Sequence, residues 1–265
     1  MLLARLQDRN LVRLLGFCLK GVEQLLIYQF VPNSSLDQFL FNPIKRANLN
    51  WDRRHKIIIG IARGMLYLHK DSQFRIIHRD LKASNILLDS DMIPKISDFG
   101  MPRLFELDQT RAEINRIVGT YGYMAPKYVI HGTFSVKSDV FSFGGLVLEI
   151  VSSQRNTIYH MGDDTEALIG YVWKNWRERS ISNIIDPSIS SGSSTEISRR
   201  IHIGLLCVQE DVASQPMMAS VLLMLNSHSI TLQVPSKPAF FMHSGNEFDM
   251  SSTYDYSRVS QVERS

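Results

Sequence analysis

Two short stretches carry side chains that can do chemistry together: Ile77-His78-Arg79-Asp80-Leu81-Lys82-Ala83-Ser84-Asn85-Ile86-Leu87-Leu88 and Lys95-Ile96-Ser97-Asp98-Phe99-Gly100. Between them they supply two carboxylates, Asp80 and Asp98, one lysine, Lys82, and one carboxamide, Asn85. A carboxylate takes a proton from a hydroxyl nucleophile, and hard oxygen donors suit a magnesium ion held by one or two carboxylates together with phosphates. Such chemistry asks little covalent work of a protein; it asks that the nucleophile be held in line and the leaving charge neutralised. Singly, a His-Arg-Asp or an Asp-Phe-Gly run is an ordinary turn, because Asp and Gly are favoured there for backbone reasons. Here the two stand in order, eighteen residues apart from Asp80 to Asp98, and strand-like Ile76-Ile77 and Ile86-Leu87-Leu88 flank the first.

This order, His-Arg-Asp-Leu-x-x-x-Asn and then Asp-Phe-Gly, resembles the catalytic and metal loops of protein kinases. The resemblance implies ATP and Mg2+ as cofactors, with Asp80 as the base for the substrate hydroxyl, Lys82 against the transferring phosphate, and Asn85 and Asp98 on magnesium. A Lys at position 82, in place of an Ala-Ala-Arg run, is similar to the serine/threonine class, and Leu87 matches the residue under the adenine ring. Arg79 matches the basic residue that pairs with a phosphate added to the activation loop. Between Met101 and Gly119 the one hydroxyl is that of Thr110. Thr120, in Gly119-Thr120-Tyr121-Gly122-Tyr123-Met124-Ala125-Pro126, falls in the substrate-docking segment by the same resemblance, with its hydroxyl expected near Asp80 and Lys82.

These groups need a frame. From Trp51 to His69 apolar residues recur at Ile58, Ile61, Met65 and Leu68, a helical stripe that leads into the first motif. Gly60 and Gly64 cost that helix up to about 1 kcal/mol each, so packing must stabilise it. Upstream, Leu2, Leu3 and Leu6 at helical spacing predict the last turns of a helix within residues 1–13. Apolar runs at 14–19 and 25–28, joined through Lys20-Gly21-Val22-Glu23, predict a β-hairpin. By resemblance these are the end of helix C and two strands of the kinase small lobe. Tyr28-Gln29-Phe30-Val31-Pro32 then matches gatekeeper and hinge; an extended X-Pro segment leaves backbone groups of Gln29 and Val31 for an adenine edge. The segment 138–150 is apolar nearly all round, as in a buried helix, and Asp139 in its first turn reads equally as a helix N-cap and as an acceptor for catalytic-loop N–H groups. Further helices are expected at 171–179 and 201–208, with 221–225 continuing the last. From Ser227 onward Pro, Ser and polar residues rise and periodicity ends, which predicts a disordered tail.

The expected fold is therefore α+β and protein-kinase-like, a mostly helical C-lobe with a remnant of the N-lobe sheet. Its boundaries are 1–28 for the remnant, 29–36 for the hinge, 37–226 for the C-lobe and 227–265 for the tail. A chain of 265 residues suffices for a sizeable core, and 29 Lys and Arg against 26 Asp and Glu give a net charge of +3, too slight to imply nucleic acid. No run approaches the ~18 apolar residues of a membrane span, which predicts a soluble chain. Cys18 and Cys207 each sit among apolar residues, so both are expected to be buried thiols in a reducing, intracellular setting.

Arg9-Asn10-Leu11-Val12-Arg13-Leu14-Leu15-Gly16, the segments 33–41, 78–89, 135–150 and 206–225, and Pro235-Ser236-Lys237-Pro238-Ala239-Phe240-Phe241 are similar to plant cysteine-rich receptor-like kinases. The resemblance implies a serine/threonine kinase at the cytoplasmic side of the plasma membrane, acting on protein substrates and meeting other receptor kinases. The sequence departs from that pattern in four places, one of them Gly145, which costs the buried helix up to ~1 kcal/mol against a larger residue. No Gly-x-Gly and no Val-Ala-x-Lys occurs, so the lid over the phosphates and the lysine that grips them are missing, as in an N-terminally truncated domain. Lys127 stands where the family has a Glu, and Gln215 where it has the Arg paired with that Glu. Pro102 removes an N–H from the start of the activation loop. Turnover by the chain as written is thus expected to be weak, and a non-catalytic docking module is the competing reading.

Overall fold

The computed structural model describes residues 6–20, 23–72, 74–99, 103–105, 112–113, 119–120, 122–156, 158–161, 164–189 and 192–239. Strands β1 (Leu14–Lys20) and β2 (Glu23–Tyr28) pair antiparallel, with Lys20 opposite Glu23 and a bulge between Leu14 and Gly16. The predicted hairpin forms, but it is not covered: Leu15, Phe17, Leu19, Leu25, Leu26 and Ile27 are all exposed. Cys18 is exposed with them, contrary to expectation, because alternate residues of a two-stranded ribbon point to a second face, which no part of the described residues covers. The helix expected within residues 1–13 is absent from its described part, 6–13. There Asp8 Oδ1 accepts the Asn10 N–H at 2.8 Å in a turn, and Val12 N–H meets the Ile96 carbonyl at 2.9 Å in a parallel bridge. Residues 1–5 lie outside the described residues.

Next come β3 (Asn33–Ser35), α1 (Asp37–Leu40), α2 (Pro43–Arg46) and α3 (Trp51–Leu66), whose N-cap Asn50 accepts the Arg53 N–H at 3.1 Å. The α3 stripe is buried as its spacing predicts, Ile58, Ile61, Met65 and Leu68 being 0% exposed. Its chain continues as one wide π-turn, Tyr67–Asp71, into β4 (Arg75–Ile77). The catalytic-motif loop follows and closes with the 3-10 turn Ala83–Asn85, β5 (Ile86–Leu88) and β6 (Pro94–Ile96). β5 lies between β3 and β6.

The α3 glycines are explained by β6. A Cβ at Gly60 would stand 2.4 Å from Pro94 Cγ and 2.9 Å from Asn10 Nδ2, and one at Gly64 2.8 Å from Ile96 Cδ1. Helix propensity alone makes Gly60→Ala a gain of about 1 kcal/mol. Overpacking costs typically ~1–3 kcal/mol, so Gly60→Ala is expected to lower the unfolding midpoint in thermal denaturation. A raised midpoint would show that the strand moves aside.

Strands β7 (Arg103–Phe105) and β8 (Ala112–Glu113) lead to α4 (Pro126–His131), β9 (Thr133–Phe134) and α5 (Val136–Ser152). α5 opens with a capping box between Ser135 and Ser138 and runs through the middle of the core. It crosses α7 (Ser194–Cys207) at two glycines: a Cβ on Gly144 would be 2.6 Å from Cys207 Cβ, and one on Gly204 2.8 Å from Leu148 Cδ2. Between these helices lie β10 (Ile158–Met161), β11 (Asp164–Ala167) and α6 (Leu168–Arg177). One apolar cluster joins α3, the β5–β6 strands, one side of α5 and α8 (Met218–Asn226); a second joins the other side of α5 with α4, α6 and α7.

α8 is a helix of its own, not a continuation of the preceding one, because the turn through Asp211–Gln215 separates them. Residues 227–239 are also ordered, whereas the sequence reading places them in the tail. Arg199 on α7 donates to the carbonyls of Met224, Ser227 and Ile230, His202 bonds the Gln233 carbonyl at 2.7 Å, and Ala239 is buried with its N–H on Val208 O. Backbone carbonyls without any side-chain period are what α7 reads, so periodicity could not announce it. The remainder, 240–265, lies outside the described residues. Among the described residues no helix is long and apolar enough to cross a membrane.

Candidate active site

The loop between β4 and β5 is shaped by three buried supports. Arg79 adopts φ +73°, in the left-handed region that costs a non-glycine residue energy, and it is held there from α5. Asp139, 0% exposed, accepts the His78 N–H at 2.8 Å through Oδ2 and the Arg79 N–H at 2.9 Å through Oδ1. Of the two readings open for Asp139, the acceptor of loop N–H groups is the one observed. Burial pushes its carboxyl up, but hydrogen bonds from His69 and Arg79 and the nearby His69 and His78 rings outweigh that and hold it below the usual carboxylate range. The His78 ring completes the frame: Nδ1 faces the Asp80 N–H at 3.3 Å, so Nε2 carries the proton and donates to the Ser97 carbonyl at 2.9 Å.

On this frame Asp80, Lys82, Asn85 and Thr120 come into direct contact. The Thr120 hydroxyl donates to Asp80 Oδ1 at 2.7 Å and accepts from Lys82 Nζ at 2.8 Å. Lys82 Nζ is also 3.0 Å from Asp80 Oδ2. Asn85 spends its amide nitrogen on the Asp80 carbonyl, 2.8 Å, and on Oδ2, 3.0 Å, which leaves the oxygen as the available end of its carboxamide. Asp98 joins through its neighbour: the Ser97 N–H and hydroxyl both reach the Asn85 carbonyl, at 2.8 and 3.0 Å. Its side chain is exposed, its backbone sits at φ +60°, and it lies close enough to Tyr28 to add to the burial that raises that phenol.

The remaining expected positions are more scattered. Leu87 is half-buried on β5, opposite Ser35 and Lys95. The Gln29 N–H is not available to an adenine edge, because it extends the hairpin pairing by one bond, to the Arg13 carbonyl at 2.9 Å. Val31 is half-buried. Arg79 is buried, donates to the Tyr128 hydroxyl at 2.7 Å and stacks its guanidinium 5.0 Å from the Phe134 ring centroid. Thr110, Pro102 and the side chain of Lys127 fall outside the described residues. Gln215, the other half of the altered pair, is buried, donates to the Gln209 carbonyl and accepts Lys137 on its own carbonyl.

Sequence reasoning passed over one knot of residues. The Tyr123 hydroxyl donates to Glu149 Oε2 at 2.6 Å and also meets the Ala83 backbone, tying the stretch before α4 to α5 and to the loop between β4 and β5. Glu149 Oε1 takes the Asn156 N–H at 2.5 Å, and Asn156 Nδ2 donates to the Gly122 carbonyl at 2.9 Å. Gly145 is needed here, since a Cβ would lie 2.7 Å from Asn156 Nδ2. The available signal was a single acid, Glu149, inside Leu146-Val147-Leu148-Glu149-Ile150.

Residues 1–191 match the family described as protein tyrosine and serine/threonine kinase. Among curated proteins of Arabidopsis thaliana, the chain is similar to cysteine-rich receptor-like protein kinase 29, 59% identical over 248 residues that cover 92% of this chain and 36% of the relative. Cysteine-rich receptor-like protein kinase 26 is 58% identical over 257 residues, 96% of this chain and 39% of the relative. Cysteine-rich receptor-like protein kinase 10 is 56% identical over 244 residues, 92% and 36%. The chain spans less than two-fifths of the length of these relatives.

Proposed function

Because the chain belongs to the protein tyrosine and serine/threonine kinase family, we propose that its site serves transfer of the ATP γ-phosphate to a serine or threonine hydroxyl of a protein. One observation supports this above others: the Thr120 hydroxyl already donates to Asp80 Oδ1 at 2.7 Å, and Lys82 Nζ lies 2.8 Å from that same hydroxyl oxygen, Thr120 Oγ1. An acceptor hydroxyl taking that place would give its proton to Asp80, while Lys82 offsets negative charge beside it. Asn85, by bonding both the carbonyl and Oδ2 of Asp80, keeps that carboxylate turned toward the acceptor.

The donor set fits a nucleotide-borne magnesium ion. Among the described residues no three His, Cys, Asp or Glu side chains gather into a dedicated cage, and magnesium is commonly bound by one or two side-chain oxygens plus substrate phosphates. Asn85 and Asp98 are the residues that would hold it, and the ion would neutralise charge on the phosphates. Leu87 and the carbonyl of Gln29, with Val31, would meet the adenine. Arg79 and Thr110 would serve loop phosphorylation. The likeness to receptor-like protein kinases extends the proposal to receptor-like signalling, and the family resemblance of the sequence adds the cytoplasmic side of the plasma membrane as the proposed place, with protein substrates and other receptor kinases as proposed partners.

The second reading, a non-catalytic docking module, draws support from the Gln29 N–H, which is spent on the Arg13 carbonyl instead of standing free for an adenine edge. Radiolabelled ATP, magnesium and a generic protein acceptor, incubated with the purified chain and with Asp98→Asn, separate the two. The enzyme reading expects weak incorporation that Asp98→Asn removes. Equal background from both proteins leaves the docking module.

A further inference from the structure

Three residues of α7 hold the end of α8 and the chain that leaves it. Arg199 donates to the carbonyls of Met224, Ser227 and Ile230, His202 to that of Gln233, and Arg200 to that of Leu225 at 3.2 Å. Arg200 differs from the other two in being 0% exposed. Its other bond runs to α3, where Nη2 stands 3.0 Å from His55 Nδ1. Nε and Nη1 meet no acceptor, so among the described residues the imidazole is the one side chain that accepts from this buried guanidinium.

A guanidinium only donates and keeps its charge near neutral pH, so His55 Nδ1 must present its lone pair and the proton of the neutral ring sits on Nε2. A protonated ring carries a proton on both nitrogens. It would set a second donor and a second positive charge against Arg200, whose one remaining partner is the Leu225 carbonyl. The other groups around His55 come from three elements. On α3 Asp52 stands three residues back, and the Trp51 ring is tilted by 40° at 6.1 Å. From α7 comes Glu196, which accepts Trp51 Nε1 at 3.2 Å; from the chain after α8 comes His228, with Nε2 3.8 Å from Glu196 Oε1. Burial first, then Arg200, and more weakly His228, press the His55 ring toward its neutral form. Glu196 and Asp52 pull the other way without restoring the usual 6.5.

We propose that the His55–Arg200 contact is a proton-operated latch: neutral His55 closes α3 onto α7 and the end of α8, and a proton on His55 opens it. The direction follows from linkage. The closed form holds the ring below 6.5, so the opened form binds the proton first; the latch is complete above about pH 6.5 and is lost as pH falls from there through the closed-state value.

His55→Asn isolates this effect, because the Asn side-chain oxygen takes the place of Nδ1 as acceptor and does not titrate, while every other titrating group is common to both proteins. Amide hydrogen exchange in α8 is followed by NMR in the full 265-residue chain and in His55→Asn, at about pH 7.5 and about pH 5. Equal rates are expected at the higher pH. At the lower one, α8 amides around Leu225 are expected to exchange about tenfold faster in the unaltered chain than in His55→Asn. The ring spectrum of the unaltered chain is expected to show a bare Nδ1 at neutral pH and a midpoint below 6.5 that rises in Arg200→Met. A midpoint at or above 6.5, a proton on Nδ1 at neutral pH, or the same exchange ratio at both pH values overturns the latch. Should Arg200→Met not fold, the exchange ratio and the ring spectrum of the unaltered chain decide it. None of these readouts depends on phosphate transfer, so failure of the kinase reading leaves the latch standing, and the reverse.

Discussion

Asp186→Ala is expected to destabilise the fold by about 3–5 kcal/mol, because it strands a buried arginine rather than merely deleting a contact. Arg54 on α3 is 0% exposed and its Nη2 lies 2.5 Å from Asp186 Oδ2. Nε and Nη1 of the same guanidinium donate to the Leu49 carbonyl at 2.8 Å and the Ile150 carbonyl at 2.6 Å, so the head cannot leave for water without breaking the junction of α3 with the end of α5. Asp186 also accepts from the Ser153 and Ser188 hydroxyls. Burial pushes its carboxyl up, and the bonds from Ser153, Ser188 and Arg54 more than reverse that, leaving it below the usual 3.8. A depressed carboxyl contributes fully above its unfolded value, and that contribution is lost as pH falls through the folded one, so the junction is complete at neutral pH and fails in acid. In thermal denaturation at neutral pH the midpoint should drop by roughly 10 °C, at ~2–4 °C per kcal/mol for a domain of this size. Arg46, only 4.0 Å from Asp186 and partly exposed, provides the contrast: Arg46→Ala should cost under about 1 kcal/mol. Equal effects from the two variants would mean that Arg54 finds another partner.

Glu149→Gln is expected to change the pH profile of stability more than any single value. Burial pushes the Glu149 carboxyl from 4.5 up to about 7, against the pull of the Tyr123 and Asn156 hydrogen bonds and of Arg155, with Asp37 adding to the push. A carboxyl raised by folding is penalised as an ion: below about 4.5 both states are protonated and nothing is lost, and stability falls as pH rises through about 7. The interval from 4.5 to about 7 corresponds to about 3 kcal/mol, an upper figure for so enclosed a group. Gln keeps one acceptor for the Asn156 N–H and offers its own N–H to the Tyr123 oxygen, so the knot survives in a neutral form. Urea unfolding at about pH 5, 6, 7 and 8 should show the unaltered chain losing about 3 kcal/mol relative to Glu149→Gln across that range. Parallel profiles would show that Glu149 stays ionised throughout, or that water reaches it.

Both predictions concern residues that no local pattern marks as important, and this divides what was legible from what was not. The order of the motifs, the hairpin, the stripe of α3 and the burial of α5 could be read because each is a property of residues within a few positions of one another, where strand and helix periods of 2 and 3.6 operate. The same periods misjudged Cys18 and the hairpin around it, since alternation says that a strand has two faces but not whether anything covers them. They also placed 227–239 in a tail, although side chains of α7 hold its backbone carbonyls. The glycines of α3 looked like weaknesses until β6 was seen to need their space.

By itself, then, the sequence determined which local elements form and which reactive side chains share a loop, because short-range sterics and motif spacing settle both. Only the tertiary structure decided how those loops are held: Arg54 meets Asp186 across 132 positions, and His69 meets Asp139 across 70. Such partners are selected by how α3, the mostly apolar α5 and the loop before α7 pack together. A charged side chain among them is tolerated only where the fold delivers its counterpart, and no stretch of chain shorter than the fold contains that information.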